Sequence, residues 1–329
     1  MVWLQFLVSA IVVVIAAVKL AEYGDAIAYR TGLGGLFIGT LLLAGATSLP
    51  ELLTMVNAIN QGHVDLTAGD LFGSSTFNML LLGVLDIIFY RTRILRRVAL
   101  RHALTASLGT MLTGMVVFFL LADLNLRIGW VGVDSLLVLA MYVVGVWLLR
   151  NNPVTGGPGD APAENIDAMP PLWKALVGFA LTAGVLVLTT PWMVRSGSGI
   201  ARLTGLGDGF VGMLLIAFVT SLPELVAMIS AVRFGAYDMA VGNLFGSNVF
   251  NMAALASADV FYTEGSFLAA INPAFALAGL LAMLLTTMGL VGNLAQVERR
   301  IWVVEVDALL LILCYLGGLA LLYARGIGG

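Results

Sequence analysis

The chain has 329 residues, 60% of them hydrophobic and 11% charged, with a net charge of -3 and a mean hydropathy of +1.01. A water-soluble domain of this composition would expose apolar patches far larger than soluble proteins carry, so the main solvent is lipid. The single cysteine, Cys314, excludes an intrachain disulfide framework and is read as a small buried apolar side chain.

Crossing about 30 Å of hydrocarbon takes roughly 20 apolar residues. By that rule the sequence predicts an all-α polytopic membrane protein with ten transmembrane helices, centred near residues 12, 45, 78, 110, 138, 183, 219, 250, 279 and 312. The first segment has no basic residue between Met1 and Leu7, unlike a secretory signal, and is read as a retained helix. In the second, Ala44, Thr47, Ser48 and Glu51 fall at i, i+3, i+4 and i+7 and share one helix face. In the third, Asp70, Ser74 and Asn78 fall at i, i+4 and i+8. After the fifth, residues 151–171 read NNPVTGGPGDAPAENIDAMPP, which has no apolar period and predicts a linker between a first unit at 1–150 and a second at 172–329.

The second unit repeats the first. Residues 31–79 align without a gap on residues 204–252 at an offset of 173, with 27 identities in 49 positions. The stripe of the second span recurs in the seventh as Ala217, Thr220, Ser221 and Glu224, and that of the third recurs in the eighth as Asn243, Ser247 and Asn251. Five spans per unit is an odd number, so the second copy enters the membrane from the opposite side. The repeats are therefore expected to be inverted, with a binding site between them near the midplane.

A charged side chain at the bilayer centre costs at least about 2.5 kcal/mol, and such residues usually line a polar path or hold an ion. Two matched glutamates, Glu51 and Glu224, are therefore the leading candidates for an ion site. Pro50 and Pro223 adjoin them and lack the amide that would bond the carbonyls of Ala46 and Val219. Carboxylates, carbonyls, hydroxyls and the amide oxygens of Asn78 and Asn251 make the oxygen-rich set that a hard cation such as Ca²⁺ or Na⁺ prefers. Gly69, Gly73, Gly242 and Gly246 leave a smooth helix face for close packing against the glutamate helices.

His63 and His102 have no metal-ligand spacing and are read as interfacial. Asp65 and Asp238 are read as turn or cap residues, and Asp86, Asp134 and Asp307 as locally paired. With the amino terminus outside, twelve of the sixteen Lys and Arg residues fall on cytoplasmic connections, among them Arg91, Arg93, Arg96, Arg97, Arg101, Arg299 and Arg300. This bias places both termini outside, and the Arg91–Arg101 cluster is an orientation signal rather than a nucleic-acid patch.

TSLPE followed by GS...N, present in both halves with 23 residues from each Glu to its Ser, resembles the two signature repeats of the cation/calcium antiporter superfamily, to which the sodium/calcium exchangers and their prokaryotic relatives belong. The resemblance covers essentially the whole chain. It implies a cell-membrane antiporter, not an enzyme, exchanging Na⁺ for Ca²⁺ by alternating access, with no cofactor besides the transported ions and able to work as a monomer. It implies that Glu51 and Glu224 bind Ca²⁺ with the Thr47 and Thr220 carbonyls, and that sodium sites involve Ser48, Ser74, Ser221, Ser247, Asn78, Asn251 and the Ala44 and Ala217 carbonyls. Ala46 and Val219 stand where many relatives have Gly. Asn78 and Asn251 are both neutral where some exchangers carry one Asp. Asp70 stands where the family usually has Asn and is a possible charge or proton site. An H⁺-coupled exchanger of Ca²⁺ or another divalent cation is the alternative. A passive channel would show flux without a counter-ion gradient, an intramembrane hydrolase would need a nucleophile motif not recognisable here, and a scaffold would show no ion dependence.

Overall fold

The computed structural model describes residues 1–31, 44–89, 99–124, 126–151, 170–233, 235–295, 300–301 and 304–327. All but the ends of the expected linker, the start of the second expected span, and Arg91, Arg93, Arg96, Arg97 and Arg299 of the orientation argument lie outside the described residues. The first half comprises α1 (Val2–Arg30), a helical turn at 44–47, α2 (Leu49–Asn60), α3 (Val64–Ile88), α4 (Ala99–Ala122), the two-residue strands β1 (Arg127–Ile128) and β2 (Val131–Gly132), and α5 (Val133–Asn151). The second comprises α6 (Leu172–Thr204), α7 (Asp208–Arg233), α8 (Tyr237–Ser257), α9 (Phe275–Ala295), the strands β3 (Arg300–Ile301) and β4 (Val304–Glu305), and α10 (Val306–Ala324).

Among the described residues eight helices are long and apolar enough to span a membrane: α1, α3, α4, α5, α6, α7, α9 and α10. Of the ten expected spans, the second is described only from residue 44 onward. The eighth, α8, carries Asn243, Ser247, Asn248 and Asn251 and is buried along nearly its whole length, so protein rather than lipid surrounds it. The outer helices turn apolar side chains outward, with Phe118, Trp147, Trp173 and Leu188 all more than half exposed. That is the pattern expected where the solvent is hydrocarbon.

The two halves match in backbone detail. Gly62 and Gly235, 173 residues apart, close equivalent helices in the left-handed region at φ +78° and +77°, where a side chain would be strained. Equivalent helices also run antiparallel. A Cβ on Gly178 of α6 would strike the Tyr23 ring near the end of α1, while Gly199 near the end of α6 lies against Val2 at the start of α1. The α1–α6 pair has its own apolar core, with Val13, Leu20, Leu186 and Met193. A second and larger core joins α3, α4, α8 and α9 through Leu71, Phe72, Leu112, Phe245 and Leu285.

Asp86, Asp134 and Asp307 depart from the local pairing expected of them. Their repeat partners emerge only in three dimensions. The β1–β2 hairpin pairs Arg127 with Gly132 and Ile128 with Val131, and β3–β4 pairs Arg300 with Glu305 and Ile301 with Val304, the same register 173 residues on. On one face Asp259, after α8, accepts bonds from the Gly132 amide at 2.9 Å and from the Phe267 amide, beside Asp134, whose other oxygen takes the Ser266 hydroxyl at 3.3 Å. Asp86, the equivalent of Asp259, comes together with Glu305 and Asp307, their ligand oxygens within 4.8 Å of one another. Each half thus holds the helix start of the other.

Removing the Asp259 carboxylate orphans two backbone amides, which costs roughly 1–3 kcal/mol per buried group. Thermal unfolding of Asp259→Ala should show a clear drop in midpoint, with Asp259→Asn closer to wild type.

Candidate functional site

The polar stripes meet where the two halves cross. The helix is interrupted at Ser48 (φ -88°, ψ 9°) and identically at Ser221 (φ -88°, ψ 2°). The proline that follows sits in the first turn of the resuming helix, where its missing amide does no harm. Each break places a glutamate at the head of a new helix segment, and the partial positive charge there favours an anion. Close approach comes from glycine. A Cβ on Gly73 of α3 would lie 2.6 Å from Met213 Cα and 2.8 Å from Ala217 Cβ, and one on Gly69 would collide with the Gly209 carbonyl. Residues 212–216 of α7, which take this contact, form a π-turn, a distortion often found at functional sites.

All thirteen residues singled out in the sequence come to this crossing or frame it. Glu51 and Glu224 are each 1% exposed and Asp70 is fully buried. Ser74 donates to Glu51 Oε1 and Ser247 to Glu224 Oε1, both at 3.4 Å, and Ser48 reaches across to Glu224 Oε1 at 3.1 Å. Thr220 donates to Asp70 Oδ1 at 3.1 Å and lies 3.3 Å from Ser74 Oγ; its counterpart Thr47 donates to Asn243 Oδ1 at 3.4 Å. These reciprocal pairs, each joining residues of opposite halves, are the signature of a two-fold relation. Ala44 and Ala217 stand at the breaks, where each carbonyl already accepts a Thr hydroxyl and a Ser amide. Asn78 and Asn251 lie one helical turn beyond Ser74 and Ser247.

The chemistry lies in what is left over. Among the described residues Glu51 Oε2, Glu224 Oε2, Asp70 Oδ2, Asn78 Oδ1, Asn251 Oδ1 and Ser221 Oγ are buried without a hydrogen-bond partner. No ion pair with Lys, Arg or His among those residues neutralises the three carboxylates. Buried polar groups are nearly always satisfied, and unpaired buried charge is among the costliest features a protein can hold. Several acceptor oxygens with no donor to meet them form a cage suited to a desolvated cation. The histidines play no part: His63 pairs with Asp208 at 2.7 Å and His102 with Asp238 at 3.5 Å. Asp65 accepts the Asn272 amide.

The sequence profile described as sodium/calcium exchanger protein matches residues 1–150 and 174–324. The chain belongs to the sodium/calcium exchanger family. That family is one of membrane transporters, not enzymes. CaxA of Alkalimonas amylolytica is 26% identical over 327 residues, 97% of each chain. Among solved structures, the H⁺/Ca²⁺ exchanger CAX superposes with a TM-score of 0.66 at 16% identity, covering 99% of this chain and 89% of that one. The sodium-calcium exchanger NCX_Mj superposes with a TM-score of 0.57 at 21% identity, covering 97% and 99%. Both share the fold of this exchanger. They differ from each other in the coupling ion that their names carry.

Residues of the site that the motif reading passed over are Ser75, Asn248 and Thr286. The first two lie inside the repeated GS..FN motif beside Ser74 and Ser247, which was the available signal; Thr286 on α9 had none.

If these oxygens hold a cation, the ion should stabilise the fold. At 100 times its dissociation constant a ligand adds about 2.7 kcal/mol. Ca²⁺ or Na⁺ should raise the unfolding midpoint over that in chelator, and Glu51→Gln plus Glu224→Gln should abolish the dependence.

Proposed function

We propose that the chain is a secondary active antiporter that exchanges Na⁺ for Ca²⁺ by alternating access, with Ca²⁺ between Glu51 and Glu224. The observation that carries this reading is the set of buried, unpaired acceptor oxygens on both sides of one crossing. Glu51, Glu224 and the Thr47 and Thr220 carbonyls take Ca²⁺. Ser48, Ser74, Ser221, Ser247, Asn78, Asn251 and the Ala44 and Ala217 carbonyls take Na⁺. The chain is organised as two inverted five-helix repeats, 1–150 and 172–329, joined by a cytoplasmic linker. It sits in the cell membrane as a monomer, with ten spans and both termini outside.

The mechanism follows from charge. Moving an unbalanced carboxylate pair through a low-dielectric barrier is prohibitive, so the empty site resists the change of access. Ca²⁺, or Na⁺ in its place, neutralises the site and lets the halves rearrange. The α1–α6 pair, with an apolar core separate from that of α3, α4, α8 and α9, is the unit that rocks. Obligatory exchange results because each crossing needs a counter-charge in the cage.

Asp70 favours a second reading. Asn243, its repeat counterpart, is neutral, so Asp70 gives the site a third carboxylate and breaks its symmetry. Ca²⁺ balances two of the three charges, and the third calls for a monovalent partner that can be Na⁺ or H⁺. In this alternative the chain is an H⁺-coupled exchanger of Ca²⁺ or another divalent cation.

Purified protein in liposomes should take up ⁴⁵Ca²⁺ down an opposed Na⁺ gradient, and Glu51→Gln plus Glu224→Gln should reduce the flux to that of empty vesicles. Undiminished flux in that variant would sink both readings. Uptake driven by a pH gradient without Na⁺ selects the second over the first.

A further inference from the structure

A carboxamide presents oxygen on one side and NH₂ on the other, nearly equal in shape, so an asparagine serves a cation only when its neighbours dictate which end faces the site. At Asn78 they do. The side chain of Asn248, on the helix of the opposite half, donates through Nδ2 to the Ser75 backbone carbonyl at 3.3 Å and to Thr286 Oγ1 at 3.4 Å. A backbone carbonyl can only accept, and the Thr286 hydroxyl already spends its proton on the Ala282 carbonyl at 2.8 Å. The NH₂ end of Asn248 is therefore fixed, and its oxygen accepts from Asn78 Nδ2 at 3.0 Å. Asn78 is left with its Oδ1 free and buried.

The other half repeats the device with a different residue. Ser75, which occupies the position equivalent to Asn248, donates to the Leu71 carbonyl at 3.0 Å and so offers a lone pair to Asn251 Nδ2 at 3.4 Å. Asn251 Oδ1 is again the free end. Both chains of hydrogen bonds start at a helix carbonyl, run in one direction and finish on an unpaired amide oxygen. Such chains also polarise their last member, making it a better ligand.

We infer that Ser75 and Asn248 are positioning residues of the cation site, each holding the asparagine of the opposite half with its oxygen rather than its NH₂ toward the ion. The inference rests on the antiporter reading above. Without the relay, Asn78 or Asn251 is free to turn an NH₂ donor toward the ion, which repels a cation and competes with it for the carboxylates.

The test is ⁴⁵Ca²⁺ exchange by the full chain in liposomes, with Ca²⁺ and the driving ion each titrated, for wild type, Asn248→Ala, Ser75→Ala, Ser75→Thr and Thr286→Val. Partners of this kind typically change metal affinity 10–100-fold. Asn248→Ala and Ser75→Ala should raise the KM of at least one transported cation by roughly that range, with the maximal rate much less affected. Ser75→Thr keeps the hydroxyl and should restore the wild-type KM, and Thr286→Val should fall between wild type and Asn248→Ala. If Asn248→Ala does not fold, Ser75→Ala and Thr286→Val decide the matter. Unchanged KM values in the folded Ala and Val variants of an active exchanger would overturn the inference alone, as would a Ser75→Thr as impaired as Ser75→Ala. A wild-type chain with neither cation exchange nor cation-dependent stabilisation would overturn the antiporter reading and this one together.

Discussion

Charge buried in a membrane must be balanced, and three carboxylates at the centre of this chain have no cationic side chain beside them among the described residues. A carboxylate transferred to a low-dielectric interior without a partner would cost more than a domain's entire stability. The rest of the structure is arranged around that constraint. The helix breaks at Ser48 and Ser221 aim amide dipoles at the glutamates, hydroxyls from both halves share the charge, and glycines at 69 and 73 bring backbones close enough to shut out lipid. What these devices leave unbalanced is the site's capacity for a cation.

The two-fold repeat explains how so costly a site can be assembled from a short motif. Each half supplies what the other lacks: Thr220 bonds to Asp70 while Thr47 bonds to Asn243, and Asn248 orients Asn78 while Ser75 orients Asn251. The same exchange holds the periphery, where Asp259 binds the start of α5 and Asp86 meets Glu305 and Asp307 at the start of α10. The symmetry is broken at Asp70 opposite Asn243, Ser75 opposite Asn248, and Ser48, which reaches Glu224 while the Ser221 hydroxyl has no partner among the described residues. Such breaks are where selectivity and coupling can be set, because a strictly symmetric cage would offer two identical half-sites.

Much of this was legible before any coordinates. Hydropathy marked the membrane, and the offset of 173 paired Glu51 with Glu224 because selection on a ligand set leaves whole motifs intact. The membrane rule failed on α8, whose Asn and Ser residues lower its hydropathy because protein surrounds it. The prolines were expected to free carbonyls within a kinked helix; the structure instead ends one helix at Ser48 or Ser221 and starts another. The acidic clasps escaped notice because Asp86 and Asp259 sit in dissimilar segments, and each contacts the other half rather than its own. The relays could not be read at all, since which end of an asparagine faces the ion depends on partners 38 to 176 residues away.

The central claim is that one divalent cation sits between Glu51 and Glu224, and anomalous diffraction from crystals grown in Ca²⁺ tests it most directly. A Ca²⁺ peak about 2.3–2.6 Å from oxygens of both glutamates is the expected result. A peak only at Asp86, Glu305 and Asp307, with none between Glu51 and Glu224 at saturating Ca²⁺, would contradict it.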